Sequence, residues 1–170
     1  MIAEKGPKKR DVRLILDNIR SVHNVGSIFR TAETLGISKI YCLDTTPSPL
    51  DRFGNKRPDF MKVALGAEEN VAWEYIEAGD VVSLLKKLKK EGVKIVALEQ
   101  SPRSIDYKNI TLSSSSKDKV IIILGNEVGG VSKFLLDQTD LIAEIPLQGK
   151  KESLNVSVSA GIFLYRLLDN

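Results

Sequence analysis

The chain has 170 residues, 42% of them hydrophobic and 28% charged, a length that suits one domain built around one core. A single cysteine, Cys42, excludes an internal disulfide, a single histidine, His23, excludes the common zinc frameworks of Cys and His, and no apolar run approaches the ~20 residues of a membrane helix. With 25 basic against 22 acidic side chains the formal charge is +3, too slight by itself to mark a nucleic-acid binder.

The opening MIAEKGPKKR has no apolar signal segment, so residues 1–10 are expected as a flexible basic tail on a cytoplasmic protein. Residues 12–16 form an apolar run of strand length that ends at Asp17-Asn18, and Val25, Ile28, Phe29, Ala32 and Leu35 then recur at helical spacing. Asn24 suits the N-cap of that helix, Gly36 its stop, and His23 the turn before it. A second strand at 39–43 leads into a long loop at 44–58 containing TPSPLDRFGNKRP, and long loops are often functional. Residues 80–90 place Val82, Leu84, Leu85 and Leu88 at helical spacing with lysines opposite, read as a solvated face in preference to a nucleic-acid patch. Gly92 ends this helix before a strand at 93–98. Residues 113–116 read as a connector and 120–124 as the most strand-like segment of the chain. A short helix at 133–138, a strand at 141–145, a glycine and lysine turn and a closing helix from about Asn155 follow.

This alternation predicts an α/β fold, a mostly parallel sheet with helices on both faces, in one domain spanning 1–170. Ligands of such folds gather beyond the carboxyl ends of the strands. Three polar loops fall there: LEQSPR, GNEVGG and PLQGKKESLN. Gly125, Gly129 and Gly130 are spaced G-x-x-x-G-G, unlike a dinucleotide fingerprint. Gly149-Lys150 lacks the glycine five residues earlier and the following Ser or Thr of a P-loop, and no G-x-S-x-G elbow is present. The candidates that remain are Asn24, Arg30, Asn126, Glu127, Ser153 and Asn155. Asn24 and Asn155 equally suit helix caps, Glu127 suits the start of a helix, and Arg30 suits a solvent-facing or ion-paired position.

Three segments together resemble the signature motifs of the SpoU (TrmH) family of RNA ribose 2′-O-methyltransferases, in the SPOUT superfamily. They are HNVGSIFRTAETLG from His23, IIILGNEVGGVS from Ile121 and IPLQGKKESLNVSVSAGI from Ile145. The resemblance covers the chain from about Val12 to Leu168. It implies a deep C-terminal trefoil knot around S-adenosylmethionine, a topology that base rates alone would reject. It also implies a homodimer whose active sites combine both subunits, with Val156, Val158, Ile162, Leu164 and Leu167 suited to helix packing at the interface.

Carried over residue by residue, the cofactor would meet Leu98, Gly125, Ile145, Pro146, Leu147, Ser153 and Leu154. Leu147 stands where relatives often have methionine, and GNEVGGVS departs from the commoner loop while keeping Glu127. The implied reaction moves a methyl group from S-adenosylmethionine to a ribose 2′-oxygen of tRNA or rRNA, leaving S-adenosylhomocysteine, and requires no metal. Arg30 matches the catalytic arginine, with Asn24, Glu127, Ser153 and Asn155 orienting it, the ribose and the loops. A guanidinium stays protonated in proteins, so Arg30 is expected to hold the ribose and its phosphate and to stabilise the forming alkoxide. Phosphate contacts are expected from Lys8, Lys9, Arg10, Arg52, Lys56 and Arg57, with no additional RNA-binding domain and no membrane partner. The competing reading is a non-catalytic RNA-binding homologue of the same fold.

Overall fold

The computed structural model describes residues 10–112 and 118–168. Seven strands form one sheet in the order β3-β2-β1-β6-β4-β7-β5, and every pairing in it is parallel. In chain order the strands are β1 (Asp11–Asp17), β2 (Lys39–Leu43), β3 (Trp73–Ile76), β4 (Lys94–Leu98), β5 (Ile105–Asp106), β6 (Lys119–Leu124) and β7 (Leu141–Glu144). The helices are α1 (Val22–Leu35), α2 (Pro58–Ala64), α3 (Ala67–Asn70), α4 (Val81–Lys90), α5 (Lys133–Leu136) and α6 (Val156–Leu168).

β6 is central because its sequence leaves no alternative. Val120, Ile121, Ile122, Ile123 and Leu124 are all buried, so neither face can meet water, as an unbroken apolar run in a parallel sheet requires. Each such side chain contributes about 1.5–3 kcal/mol of burial. Its even-numbered residues pack with α1 and α6, and its odd-numbered residues with α4 and α5, which gives three layers. Phe29 of α1 meets Phe60 of α2 edge to face at 5.1 Å, and Gly26 lets the two helices close, since a Cβ there would press on Val63.

The ends of α1 differ from the sequence expectation at one end only. Gly36 stops the helix in the left-handed region at φ 68°, but the N-cap is Ser21, whose side chain accepts from the Asn24 N–H. Asn24 therefore lies inside the helix with its side chain released, and His23 lies in the first turn rather than before it. The expected strand at 141–145 ends at Glu144, and the helix at 133–138 is shorter, Lys133–Leu136. α2, α3 and β3 have no counterpart in the sequence reading; Pro58, in the first turn of α2, is a start signal that was legible. The lysines of α4 are exposed opposite Leu84, Leu85 and Leu88. Cys42 is buried in β2, and burial pushes its thiol up to about 12. The connector at 113–116 and Lys8 and Lys9 lie outside the described residues. Among the described residues no helix is long and apolar enough to cross a membrane, and no group of three His, Cys, Asp or Glu could hold a metal ion.

Candidate active site

The loops after β4, β6 and β7 meet in one cleft of about 340 Å³ at the carboxyl ends of these strands. The loop after β6 is its rigid rim. Asn126 and Gly130 exchange two backbone hydrogen bonds at 3.0 and 2.9 Å, and Asn126 Oδ1 accepts from the N–H groups of Val128 and Gly129. Asn126 Nδ2 donates to the Asn18 carbonyl at 2.7 Å, which ties the loop to the end of β1. Asp17, 3% exposed, accepts from the Ser132 N–H at 2.7 Å. Glu99 reaches across from the loop after β4 and accepts from the Val131 N–H at 2.8 Å.

The glycines of this loop are steric requirements. A Cβ at Gly125 would fall on the backbone of Gly130 and Val131, and one at Gly130 would fall on the Glu99 carboxylate. Gly130 also has a φ of 67°, in the region that favours glycine.

Three of the residues singled out from the sequence form one hydrogen-bonded chain. Asn24, 8% exposed, donates from Nδ2 to Glu127 Oε1 at 2.7 Å and accepts on Oδ1 from Asn155 Nδ2 at 3.1 Å. Asn155 Oδ1 at the same time accepts from the Ser157 N–H at 2.9 Å, so it caps α6 as well as serving the cluster. Asn24 caps nothing, and Glu127 sits in the turn at 126–130 and not at a helix start, so its position owes nothing to a helix dipole.

Leu98, Gly125, Ile145, Leu147, Ser153 and Leu154 all line the cleft, with Glu127; Pro146 does not. Arg30 is not brought there. It is exposed, makes no side-chain hydrogen bond or ion pair among the described residues, and lies ~120° round α1 from Asn24. Of the expected phosphate contacts, Lys56 is paired with Glu69 and Arg57 with Asp59, both at 2.9 Å, while Arg52 lies over the Phe53 ring. Arg10 reaches the Leu167 carbonyl at 3.5 Å. Sequence reasoning missed Glu99. Its position immediately after a buried strand was the available signal.

The cleft has a definite electrostatic character. Glu99, Glu127, Glu144 and Glu152 line it, and among the described residues no Lys, Arg or His does. Leu98, Leu124, Ile145, Leu147 and Leu154 supply apolar wall. Such a site accepts a ligand with a flat apolar part and a positive charge, and repels a polyphosphate.

The sequence profile of the SpoU rRNA Methylase family matches residues 11–165. A 23S rRNA (guanosine-2'-O-)-methyltransferase RlmB of Coxiella burnetii is 32% identical over 163 residues, covering 94% of this chain and 60% of that protein. A tRNA (guanosine(18)-2'-O)-methyltransferase of Aquifex aeolicus is 29% identical over 159 residues, covering 93% and 69%. Among solved structures, the A. aeolicus TrmH/SpoU tRNA modifying enzyme superposes with a TM-score of 0.76 at 28% identity, covering 93% of this chain and 75% of that one. The AdoMet bound rRNA methyltransferase from Sinorhizobium meliloti gives 0.78 at 25%, covering 94% and 56%. The chain spans between 55% and 62% of the length of three curated relatives that it matches, the C. burnetii protein among them. The matched region runs from β1 into α6 and takes in all three loops of the cleft and the helix carrying Asn24; on that match the chain belongs to the SpoU rRNA Methylase family.

Proposed function

We propose that this chain transfers a methyl group from S-adenosylmethionine to a ribose 2′-hydroxyl of tRNA or rRNA. The observation that carries the proposal is the cleft: four carboxylates and, among the described residues, no cation around an apolar slot, with Glu127 tied to Asn24 and through it to Asn155 at its rim. Bound there, the cofactor supplies an electrophilic methyl group on a positively charged sulfur. Leu98, Ile145, Leu147 and Leu154 would hold its apolar part, and Gly125 and Gly130 let the loop after β6 close on itself and on Glu99 at the cleft's edge. Pro146 stiffens the loop without facing the cleft. Relatives named as rRNA and as tRNA 2′-O-methyltransferases support both RNA classes.

Arg30 completes the site from a second copy of the chain. It is exposed and does not line its own cleft, and α6 leaves Val158, Ile162 and Tyr165 exposed at helical spacing, an apolar stripe without a partner among the described residues on the helix that packs against α1. The stripe is narrower than the sequence suggested, because Val156, Leu164 and Leu167 are consumed by the chain's own core. Arg30 then holds the ribose and its phosphate and offsets the negative charge on the 2′-oxygen, while Asn24, Glu127, Ser153 and Asn155 fix the geometry. The strand order supports the trefoil knot: β6 enters between β1 and β4, and β7 between β4 and β5, so the chain twice returns into gaps left by earlier strands.

Incubation with methyl-labelled S-adenosylmethionine and separate tRNA and rRNA pools, followed by mapping, is expected to label one ribose in one pool. Cofactor binding without label in either pool would replace this reading with a non-catalytic RNA-binding one.

A further inference from the structure

Phe53 is 73% exposed, yet the turn that carries it is tied by its own hydrogen bonds. Asp51 Oδ1 accepts from the Phe53 N–H at 2.8 Å and the Asn55 N–H at 2.9 Å, and the Asp51 N–H donates to the Asn55 carbonyl at 2.9 Å. Gly54, at φ 82°, makes the reversal possible, and Leu50 and Lys56 pair across its base. These bonds lower the Asp51 carboxyl from its usual range, chiefly through the Asn55 N–H. The ring is therefore held in water by structure and not left there by looseness. An isolated exposed apolar residue needs no explanation, but here the Arg52 guanidinium lies 4.8 Å from the ring centroid, and Arg52 has no other partner among the described residues.

We infer that the turn at 51–55 is a stacking platform for one unpaired nucleobase of the RNA, with Phe53 supplying the ring face and Arg52 the adjacent cation. Aromatic faces and guanidinium planes are the surfaces on which splayed bases stack. Of the cations in residues 50–62, Lys56 and Arg57 are paired with Glu69 and Asp59, which leaves Arg52 and Lys62 for the flanking phosphates. The turn leads directly into α2, which packs through Phe60 on Phe29 of α1, the helix that carries Arg30. The turn is thereby tied through one helix contact to the helix that carries Arg30. This inference rests on the RNA reading proposed above.

The test is binding of unfractionated tRNA and of rRNA by fluorescence anisotropy across a salt series, for the parent chain, Phe53→Leu, Phe53→Trp and Arg52→Ala. Phe53→Leu is expected to weaken binding to the RNA that is methylated roughly tenfold with an unchanged salt slope, because stacking is lost but no charge. Phe53→Trp restores it, and Arg52→Ala both weakens binding and flattens the slope. Parental affinity in Phe53→Leu overturns the platform and leaves the RNA reading standing. Absence of RNA binding by the parent overturns both. Loss of self-association in Phe53→Leu, with RNA affinity unchanged, assigns Phe53 to a contact between copies and also overturns the platform.

Discussion

Asn24 Nδ2 lies 2.7 Å from Glu127 Oε1 and joins α1 to the loop after β6 across 103 positions of sequence. The bond is made by a nearly buried amide, so its removal leaves a polar group without compensation. Asn24→Asp replaces a donor with a second carboxylate facing Glu127. It is expected to lower stability at neutral pH by about 1–3 kcal/mol, with partial recovery in mild acid as the two carboxylates share a proton. Urea unfolding at both pH values checks it, and Asn24→Ala, which has no such recovery, is the control.

Arg30→Ala is expected to leave S-adenosylhomocysteine affinity unchanged and to lower methyl transfer at least ~100-fold, the scale of losing one preorganised charge at a reacting oxygen. Arg30→Lys should not restore it, because an ammonium lacks the guanidinium fork. Mixing Arg30→Ala chains with Glu127→Ala chains distinguishes the two placements of Arg30. If it serves the partner's cleft, mixed dimers hold one intact site and activity returns on mixing. If it serves its own cleft, the mixture stays inactive.

Gly130→Ala places a methyl group on the Glu99 carboxylate at a φ of 67°. The Glu99 bond to the Val131 N–H, 2.8 Å long, must break or the loop must shift. A loss of more than ~1 kcal/mol in stability is expected, together with weaker cofactor binding, measured by thermal unfolding and titration calorimetry. Gly149→Ala has open space around its Cβ and is expected to change stability little.

Arg13 joins two carboxylates, Asp11 at 2.7 Å and Glu91 at 2.8 Å, and its hydrogen bonds hold both below the usual carboxylate range. A carboxyl lowered in the folded state contributes stability that is present above its unfolded value of about 4 and is lost as pH falls through the folded value. Arg13→Met is therefore expected to weaken the chain at neutral pH and to flatten the acid limb of its stability curve. Unfolding midpoints from neutral pH down through this acid range read both effects, and an equally steep acid limb in the variant would assign acid sensitivity elsewhere.

Much of the fold is local information. Val120 to Leu124 read as the most strand-like segment and form a central strand, Gly36 stops α1 because only a left-handed residue closes that turn, and the leucines of α4 oppose its lysines. The short edge elements were illegible for the complementary reason. β3 alternates too briefly over four residues, and β5 has only two, held by pairing to β7 and not by its own sequence.

The residues of the site were also legible, as polar groups in loops that follow apolar strands, but their roles were not. Asn24 could be a cap or a site residue on local pattern, and Ser21 decided the matter by taking the cap. Asn155 turned out to be both. Glu99 became a loop clamp, Arg30 was left exposed and outside the cleft lining, and Lys56 and Arg57 were neutralised by Glu69 and Asp59. Hydrophobic period and turn chemistry act over a few residues and are written in the sequence. A hydrogen bond between positions 24 and 127, or a cleft that gathers four carboxylates from three separate segments, depends on which strands become neighbours, and only the packed sheet decides that.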